Sequence, residues 1–376
     1  MAYCNNSEQN NRLAKQTTKI ARKKINFASC THNGNNRYQE DRVFADVIKV
    51  NGEYLHVFAV FDGHSGYAVS EMCRENLRRV IHLPNGCRIP ALDKIAVENK
   101  LVGGSTATIV VYYPDGRIET ERVGDSQAFT FLLKRYNKDT KKWKKVNKKG
   151  KSKELVLSDH SPTSINEFNR LMKDYPNAGW TIEYTHSNRV MNPRRPFIKI
   201  NNEWQTNPLK GYIRKSVSND YAAYIINPQG DGLGTVRAVG DLHFRDYGVI
   251  SESDKETLQL DTNTYSVIVL GSDGLWDIYT LQEIYAIVSN SELVGKAEAA
   301  SEILLNSAMK RGQDLYKDNV IDNISVVVVY IPLQQDNDSD DNSDNDSDDD
   351  SDDIDSDDSD DVDSDDVDSD WWSINK

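Results

Sequence analysis

Acidic residues stand at the ends of several apolar runs in this 376-residue chain. The stretch HVFAVFDGH (56–64) passes from six mostly apolar residues into Asp62, and SVIVLGSDGLWD (266–277) does the same at Asp273. DNISVVVV (322–329) and YQEDR (38–42) place acids just before an apolar run. If the runs are neighbouring strands, these carboxylates meet at one edge, where like charges repel or take up protons. The acids are Glu40, Asp41, Asp62, Asp273, Asp277 and Asp322.

Such a cluster stays ionised only beside a counter-charge, and these motifs hold no matching set of lysines or arginines. Carboxylate, carbonyl and water oxygens are the ligands that magnesium and manganese prefer. Gly63 and Gly274 fit this picture because a glycine lets the backbone approach a metal closely. A single Asp-Gly pair is more typical of an ordinary turn. The joint occurrence of these motifs predicts a pair of bound divalent cations.

Strand-like and helix-like patterns alternate between about residues 24 and 332, and these elements must position the acids. Runs rich in β-branched and aromatic residues predict strands at 56–61, 107–113, 128–133, 266–271 and 324–331. Because these runs are apolar throughout, both faces of the sheets should be covered. Helical periodicity recurs at 67–81, 165–175, 281–291 and 296–311. The pattern predicts an α+β fold of packed sheets with helices outside.

Charge is divided unevenly along the chain. The net charge is −14, but residues 336–370 alone carry 21 aspartates, and the rest of the chain is mildly basic. The Asp/Ser-rich tail, 333–376, cannot bury enough apolar surface to fold, so we expect disorder there. Residues 1–24 are rich in asparagine and basic residues, and we expect them to form a flexible N-terminal arm. Within the domain at 25–332 stand two polar insertions, a basic hairpin-like segment at about 134–153 and a weakly patterned one at about 181–231.

Several classes of protein are disfavoured by motifs that the sequence lacks. There is no apolar run of about 18 residues and no secretory signal, which indicates a soluble protein with no membrane association. Four scattered cysteines without CxxC spacing favour free thiols in an intracellular setting. The sequence has neither the Cys-x5-Arg motif of cysteine-dependent phosphatases nor the P-loop lysine of kinases and ATPases.

The ordered set of motifs resembles the PP2C-type (PPM family) metal-dependent Ser/Thr protein phosphatases. The matching stretches are YQEDR (38–42), VFDGHSG (60–66), GGSTA (103–107), VGDSQA (123–128), LSDHSP (157–162), VRAVGD (236–241), GSDGLWD (271–277) and DNISVVVV (322–329). The resemblance implies a β-sandwich of two antiparallel sheets flanked by α-helices, in α-β-β-α layers, over residues 25–332. It also implies hydrolysis of phosphoserine and phosphothreonine monoesters in proteins.

The resemblance implies a role for each motif residue. Two Mg2+ or Mn2+ ions are held by Asp62, the carbonyl of Gly63, Asp273 and Asp322, and Asp125 helps to bind a third, weaker ion. Metal-bound waters are held by Glu40, Asp41, Thr106 and Asp277. A hydroxide bridging two ions attacks phosphorus in line, and His64 protonates the leaving oxygen as general acid. The alternative for His64 is a buried structural histidine.

The chain departs from the family pattern at several points, one of which is the phosphate-binding arginine. Family members place a phosphate-binding arginine where this chain has Asn36, and we expect the next residue, Arg37, to take that role. The alternative for Arg37 is an ordinary surface residue. The insertion at 181–231 falls where the family carries a flap beside the active site, so we expect an unusual choice of substrate.

Two hypotheses for the function follow. The first is an active phosphatase acting on phosphoserine and phosphothreonine proteins, and the second is a catalytically weak or inactive scaffold that binds partners through the acidic tail and basic hairpin. The intact Asp62, His64, Asp273 and Asp322 favour the enzyme. The tail could bind a basic partner or the chain's own basic hairpin, or act only as a solubilising segment. We expect a monomer, as most family members are. We do not expect nucleic-acid binding, because the basic hairpin has few aromatic residues.

Overall fold

The predicted strands and helices are confirmed by a computed structural model of the chain. The structure describes residues 3–6, 25–137, 142–145, 152–154, 160–184, 196–207, 223–261, 263–316 and 321–332. Its strands are β1 (Tyr3–Asn6), β2 (Asn26–His32), β3 (Arg42–Val50), β4 (Glu53–Phe61), β5 (Gly63–His64), β6 (Gly104–Ser105), β7 (Ala107–Tyr112), β8 (Arg117–Val123), β9 (Gln127–Asn137), β10 (Lys142–Lys145), β11 (Ser152–Glu154), β12 (Thr181–Tyr184), β13 (Phe197–Ile200), β14 (Glu203–Thr206), β15 (Ala223–Ile226), β16 (Gly232–Leu233), β17 (Val239–Gly240), β18 (Asp254–Gln259), β19 (Thr264–Gly271) and β20 (Ile324–Ile331). Its helices are α1 (Ala68–Val80), α2 (Arg88–Glu98), α3 (Ile165–Asp174), α4 (Asp273–Trp276), α5 (Leu281–Val288) and α6 (Ala297–Tyr316).

Antiparallel pairing joins most strands into two main sheets. The seven-stranded sheet has the order β1-β2-β20-β19-β9-β10, with β11 also paired to β9. The five-stranded sheet has the order β18-β8-β7-β4-β3. Since β2 pairs with β20 along its whole length, the first and last strands of the main domain lie side by side.

The last strand, β20, explains why the apolar runs are continuous. All eight of its residues are buried. Side chains alternate across a strand, so that Val326, Val328 and Tyr330 pack toward the helices while Val327 and Val329 pack toward the other sheet. Burial of each valine stabilises the fold by about 1.5 to 3 kcal/mol relative to exposure. A strand covered on both faces is apolar on both, and the one serine of β20, the buried Ser325, donates a hydrogen bond to Asp41.

The two sheets pack face to face, and helices cover their outer faces. The core between the sheets combines residues of both, including Phe27, Phe58, Val110, Ile268, Leu270 and Val329. Helices α1 and α2 pack on the five-stranded sheet. Helices α4, α5 and α6 pack on the seven-stranded sheet. This arrangement confirms the predicted α-β-β-α sandwich.

Strand β8, with the sequence RIETERV, is buried although it is rich in charge. Its carboxylates Glu119 and Glu121 are nearly inaccessible, and the Arg88 side chain on α2 is 2% exposed. Arg88 Nη2 lies 2.6 Å from Glu119 Oε2, and its Nη1 lies 3.1 Å from Glu121 Oε1. This buried ion cluster fastens α2 to the five-stranded sheet.

A separate aromatic cluster organises the region around the second predicted insertion. Here β12 pairs with β15, β15 pairs with β16, and β13 forms a hairpin with β14. The Phe168 ring on α3 stacks on that of Phe197 at 4.3 Å and meets that of Trp204 edge-on at 4.9 Å. Together with Trp180 these rings line a cavity of about 260 Å³.

Some expectations for the outer segments need correction, and others remain open. Residues 3–6 of the expected flexible arm instead pair with β2, from Tyr3 opposite Thr31 to Asn6 opposite Ala28. Cys30 is disulfide-bonded, contrary to the free thiols expected, whereas Cys73 and Cys87 are free. Strand β10 forms a hairpin with β9 within the predicted basic segment. The acidic tail lies outside the described residues, so the hypotheses about its binding stay predictions.

The helices were expected to be too short or too polar to span a membrane. Within the described ranges, none of them combines the length and the apolar character needed to cross a membrane.

Candidate active site

Three acidic residues converge where the ends of the two main sheets meet. Asp62 directly follows β4, Asp125 lies in the turn between β8 and β9, and Asp273 opens α4 immediately after β19. One carboxylate oxygen from each lies within 4.8 Å of the others, and all three residues are partly buried. Sequence analysis predicted Asp62 and Asp273 as neighbours from their positions at strand ends, and Asp125 from the resemblance alone.

Two further carboxylates, Asp41 and Asp322, surround this group. Asp41 is 1% exposed; its Oδ2 accepts a 2.7 Å hydrogen bond from Ser325 Oγ, and its Oδ1 accepts none from the described residues. Burial raises the pKa of Asp41 to about 7; the Ser325 and Ser272 hydroxyls oppose this rise, and the charges of Asp322 and Asp273 reinforce it. The buried carboxyl therefore lies in a negative field.

The same field acts on Asp62. Burial raises the pKa of Asp62 well above its ordinary value, and the charges of four neighbouring aspartates, Asp41, Asp273, Asp322 and Asp125, raise it further. Among the described residues, no lysine or arginine forms an ion pair with Asp41, Asp62 or Asp322. A set of oxygen donors with an excess of negative charge and an unpaired buried oxygen fits hard divalent cations such as Mg2+ or Mn2+.

Glu40 and its neighbours are held by the last strand. The Glu40 backbone N–H donates to Asn323 Oδ1 at 2.7 Å, and Asn323 Nδ2 donates to the carbonyls of Asn33 and Tyr38. Glu40 Oε1 accepts a 2.8 Å hydrogen bond from the backbone N–H of Gly66. Asn323 thus fixes the segment that carries Glu40 and Asp41 against the start of β20.

Gly63 has a steric role that the sequence did not reveal. A Cβ at this position would lie 2.6 Å from the Glu40 carbonyl oxygen and 2.7 Å from Ser70 Oγ. Thr106 holds the backbone on the other side, since its Oγ1 accepts from the Asp62 N–H at 3.1 Å and its own N–H donates to the Asp62 carbonyl at 2.8 Å. The turn that carries Asp62 is therefore clamped from both sides.

His64 lies at the rim of the acidic cluster, with a side chain that is 27% exposed. Its Nε2 lies 2.7 Å from Oδ2 of Asp241. Burial lowers the pKa of His64, but the hydrogen bond and charge of Asp241, together with Asp125 and Glu40, outweigh burial and raise the pKa above its ordinary value. An imidazolium at this position can donate a proton.

Arg37 lies on the surface, and Asp277 lies at the end of α4. The exposed Arg37 guanidinium lies 5.1 Å from the Tyr38 ring centroid and, among the described residues, pairs with none of the acids above. Asn36 instead reaches the site, because its Nδ2 donates to Asp322 Oδ1 at 3.0 Å. Asp277 ends the short helix α4, and its N–H donates to the Asp273 carbonyl at 2.7 Å.

Three side chains at the site escaped sequence analysis. Asp241 occurs in the motif VRAVGD but received no role, although a Gly-Asp pair is a signal for an unusual backbone. Ser325 and Ser272 both act on Asp41, and nothing in their sequence positions marks them. Their contacts arise because β19 and β20 are adjacent strands.

The chain is similar to known proteins of one family. The family model described as "Protein phosphatase 2C" matches residues 25–315. The probable protein phosphatase 2C 45 of Oryza sativa subsp. japonica is 24% identical over 81% of this chain and 87% of its own length. The probable protein phosphatase 2C 52 of Arabidopsis thaliana is 35% identical over 29% of this chain and 22% of its own length.

A solved structure extends the comparison to the fold. The serine-threonine phosphatase 2C of Toxoplasma gondii matches with a TM-score of 0.57 at 18% identity, covering 83% of this chain and 96% of its own. This likeness supports the same layered sandwich. Together with the family match over most of the domain, it leads to one conclusion. The chain belongs to the protein phosphatase 2C family.

Proposed function

We propose that this protein is a metal-dependent phosphatase that hydrolyses phosphoserine and phosphothreonine residues of proteins. The observation that carries the proposal is the convergence of Asp62, Asp125 and Asp273 within 4.8 Å, from strand ends of both sheets. The raised pKa values of Asp41 and Asp62 support it, because buried carboxylates that repel one another are stabilised by bound cations. The relatives named as protein phosphatases support the choice of reaction.

Each acid has a place in the proposed site. The cations would be held by Asp62, the carbonyl of Gly63, Asp273 and Asp322, with Asp125 at a third, weaker position. Water would be held by Glu40, Asp41, Thr106 and Asp277. When bound, Mg2+ or Mn2+ ions attract the phosphate dianion and lower the pKa of water so that hydroxide is available near neutral pH.

The chain's own residues perform the remaining steps. His64 donates a proton to the seryl or threonyl oxygen as the P–O bond breaks, because an alkoxide is a poor leaving group. Asn36 and Asn323 hold Asp322 and the Glu40 segment in place through their hydrogen bonds. Arg37 binds the substrate phosphate, for which its guanidinium must leave the Tyr38 ring.

The test measures both Mn2+ binding and turnover. We expect the full-length protein to hydrolyse a phosphothreonine peptide and p-nitrophenyl phosphate in Mn2+, with binding followed by calorimetry. Asp62→Asn should weaken Mn2+ binding and reduce kcat by at least about 100-fold on both substrates. Asp246→Asn, which removes an exposed carboxylate from the 3₁₀ helix Leu242–Tyr247, is the matched control. Wild-type protein that binds Mn2+ but is no more active than Asp62→Asn would establish the scaffold alternative.

A further inference from the structure

A small sheet beside the acidic cluster brings two distant side chains together. It has the order β17-β6-β5, with His64 opposite Gly104 and Gly104 opposite Gly240. The chain leaves β17 directly into Asp241, whose Oδ2 therefore meets His64 Nε2 at 2.7 Å across the middle strand. Three separate segments of the chain must pair correctly to create this contact.

The middle strand needs a glycine for the contact to exist. A Cβ on Gly104 would overlap both Asp241 Oδ2 and His64 Nε2. The backbone of Gly104 is not in the left-handed region, so conformation alone does not demand a glycine there. Space for the His64–Asp241 pair is what excludes a side chain.

Asp241 is itself held in a fixed position. Its side chain is 2% exposed, its φ and ψ are 48° and 46°, and its N–H donates to the Gly103 carbonyl at 2.9 Å. The preceding Gly240 N–H donates to Asp93 Oδ1 at 2.8 Å. Arg245 Nη2 bridges the same Asp93 oxygen and the Gly240 carbonyl. A left-handed aspartate, uncommon among residues other than glycine, is thus secured by a charged clamp.

We propose that Asp241 is a positioning residue for His64, holding the imidazole so that its other nitrogen faces the leaving group. This inference rests on the proposed function. With Nε2–H donating to Asp241, the proton to be transferred is on Nδ1, which makes no hydrogen bond within the described part of the chain. In the step, a hydroxide oxygen forms a new bond to phosphorus as the phosphorus–oxygen bond to the Ser or Thr breaks, and the departing oxygen takes the proton from the Nδ1–H bond. The neutral ring keeps its bond to Asp241 and later regains a proton from solvent.

A purely structural aspartate and a positioning aspartate differ in which substrates they affect. A phosphothreonine peptide has a leaving oxygen that needs a proton, whereas p-nitrophenolate leaves readily without one. Loss of general acid help costs about 10²- to 10⁴-fold on the first substrate only. Damage to the fold or to metal binding slows both substrates equally. The ratio of the two kcat values therefore isolates the role of Asp241.

The first variant is Asp241→Asn, because asparagine tolerates the left-handed backbone and keeps the side-chain shape. We expect kcat on the peptide to fall by about 100-fold, the effect of a misplaced catalytic group, with KM and the p-nitrophenyl phosphate rate nearly unchanged. His64→Asn should show the same selectivity, and Asp246→Asn should show none. Gly104→Ala, which separates the pair sterically, should reproduce the selective loss even if Asp241→Asn folds poorly.

A spectroscopic measurement complements the rates. In metal-free protein labelled with 15N-histidine, the His64 Nε2–H should be protected and hydrogen-bonded in wild type and altered in Asp241→Asn, with the buried His160 as internal reference. Equal loss on both substrates, or no loss on either, overturns the positioning role. If His64→Asn is selective but Asp241→Asn and Gly104→Ala are not, only this inference fails. A wild type inactive on both substrates ends the proposed function and this inference with it.

Discussion

Replacing Asp41 by asparagine should stabilise the metal-free protein, and increasingly so as the pH rises. Asp41 is 1% exposed, and one of its oxygens accepts no hydrogen bond from the described residues. Asparagine keeps the shape and can still accept the hydrogen bond of Ser325. The substitution therefore removes a desolvated charge and leaves the packing in place.

The magnitude follows from the pKa of Asp41, which burial raises from 3.8 to about 7. Between these two values the folded protein keeps a proton that the unfolded chain releases, so the wild type loses stability as the pH rises through this window. At about 1.4 kcal/mol per pKa unit, the penalty is about 2 kcal/mol near pH 5 and about 4 kcal/mol near pH 7.5. The asparagine variant has no such proton and escapes the penalty.

The assay is urea unfolding of both proteins in EDTA at a series of pH values from about 5 to 7.5. We expect the difference in unfolding free energy to grow roughly twofold over this range in favour of Asp41→Asn. Excess Mn2+ should reduce the difference, because cations beside the cluster oppose its charge. Parallel stability curves in EDTA would refute the reasoning, since they would mean that the Asp41 carboxyl titrates alike in the folded and unfolded chain.

Two further predictions concern groups away from the site. Burial lowers the pKa of His56 to about 4, so the folded protein keeps this histidine neutral and loses about 3 kcal/mol of stability as the pH falls from about 6.5 toward 4. In the same urea series, extended to pH 4, His56→Phe should lack this loss. A wild-type and a His56→Phe free energy of unfolding that change equally with pH would contradict the prediction. Arg88→Met should destabilise the fold by about 3 to 5 kcal/mol, because Glu119 and Glu121 remain buried without their partner. A urea unfolding midpoint equal to that of the wild type at neutral pH would show that the ion cluster is dispensable for stability.

The sequence predicted the strands that are apolar on both faces and the helices with clear periodicity. It did not predict α2, whose sequence RIPALDKIAVE carries a proline, although a proline is tolerated in the first turn of a helix. Nor did it indicate that the charged strand β8 is buried. That burial depends on Arg88, about thirty residues earlier in the chain, and no local pattern reports such a pairing.

The candidate site also contains residues that the sequence predicts and residues that it does not. Asp62 and Asp273 could be predicted because each follows a strand, and strand ends meet at sheet edges. The partnership of Asp241 with His64 could not, since it depends on a small sheet that joins segments 177 residues apart. At the family arginine position the chain has Asn36, which contacts Asp322, while Arg37 lies on the Tyr38 ring, so the phosphate-binding role of Arg37 stays a prediction.

The contact between Asn323 and the Glu40 backbone has a consequence for synthesis of the protein. Glu40 is made early, but its anchor belongs to β20, the final strand of the domain, which is inserted between β2 and β19. A chain still attached to the ribosome without that strand lacks Asp322 as well as the anchor. Under the proposed function, nascent chains should therefore show no phosphatase activity until β20 has been translated.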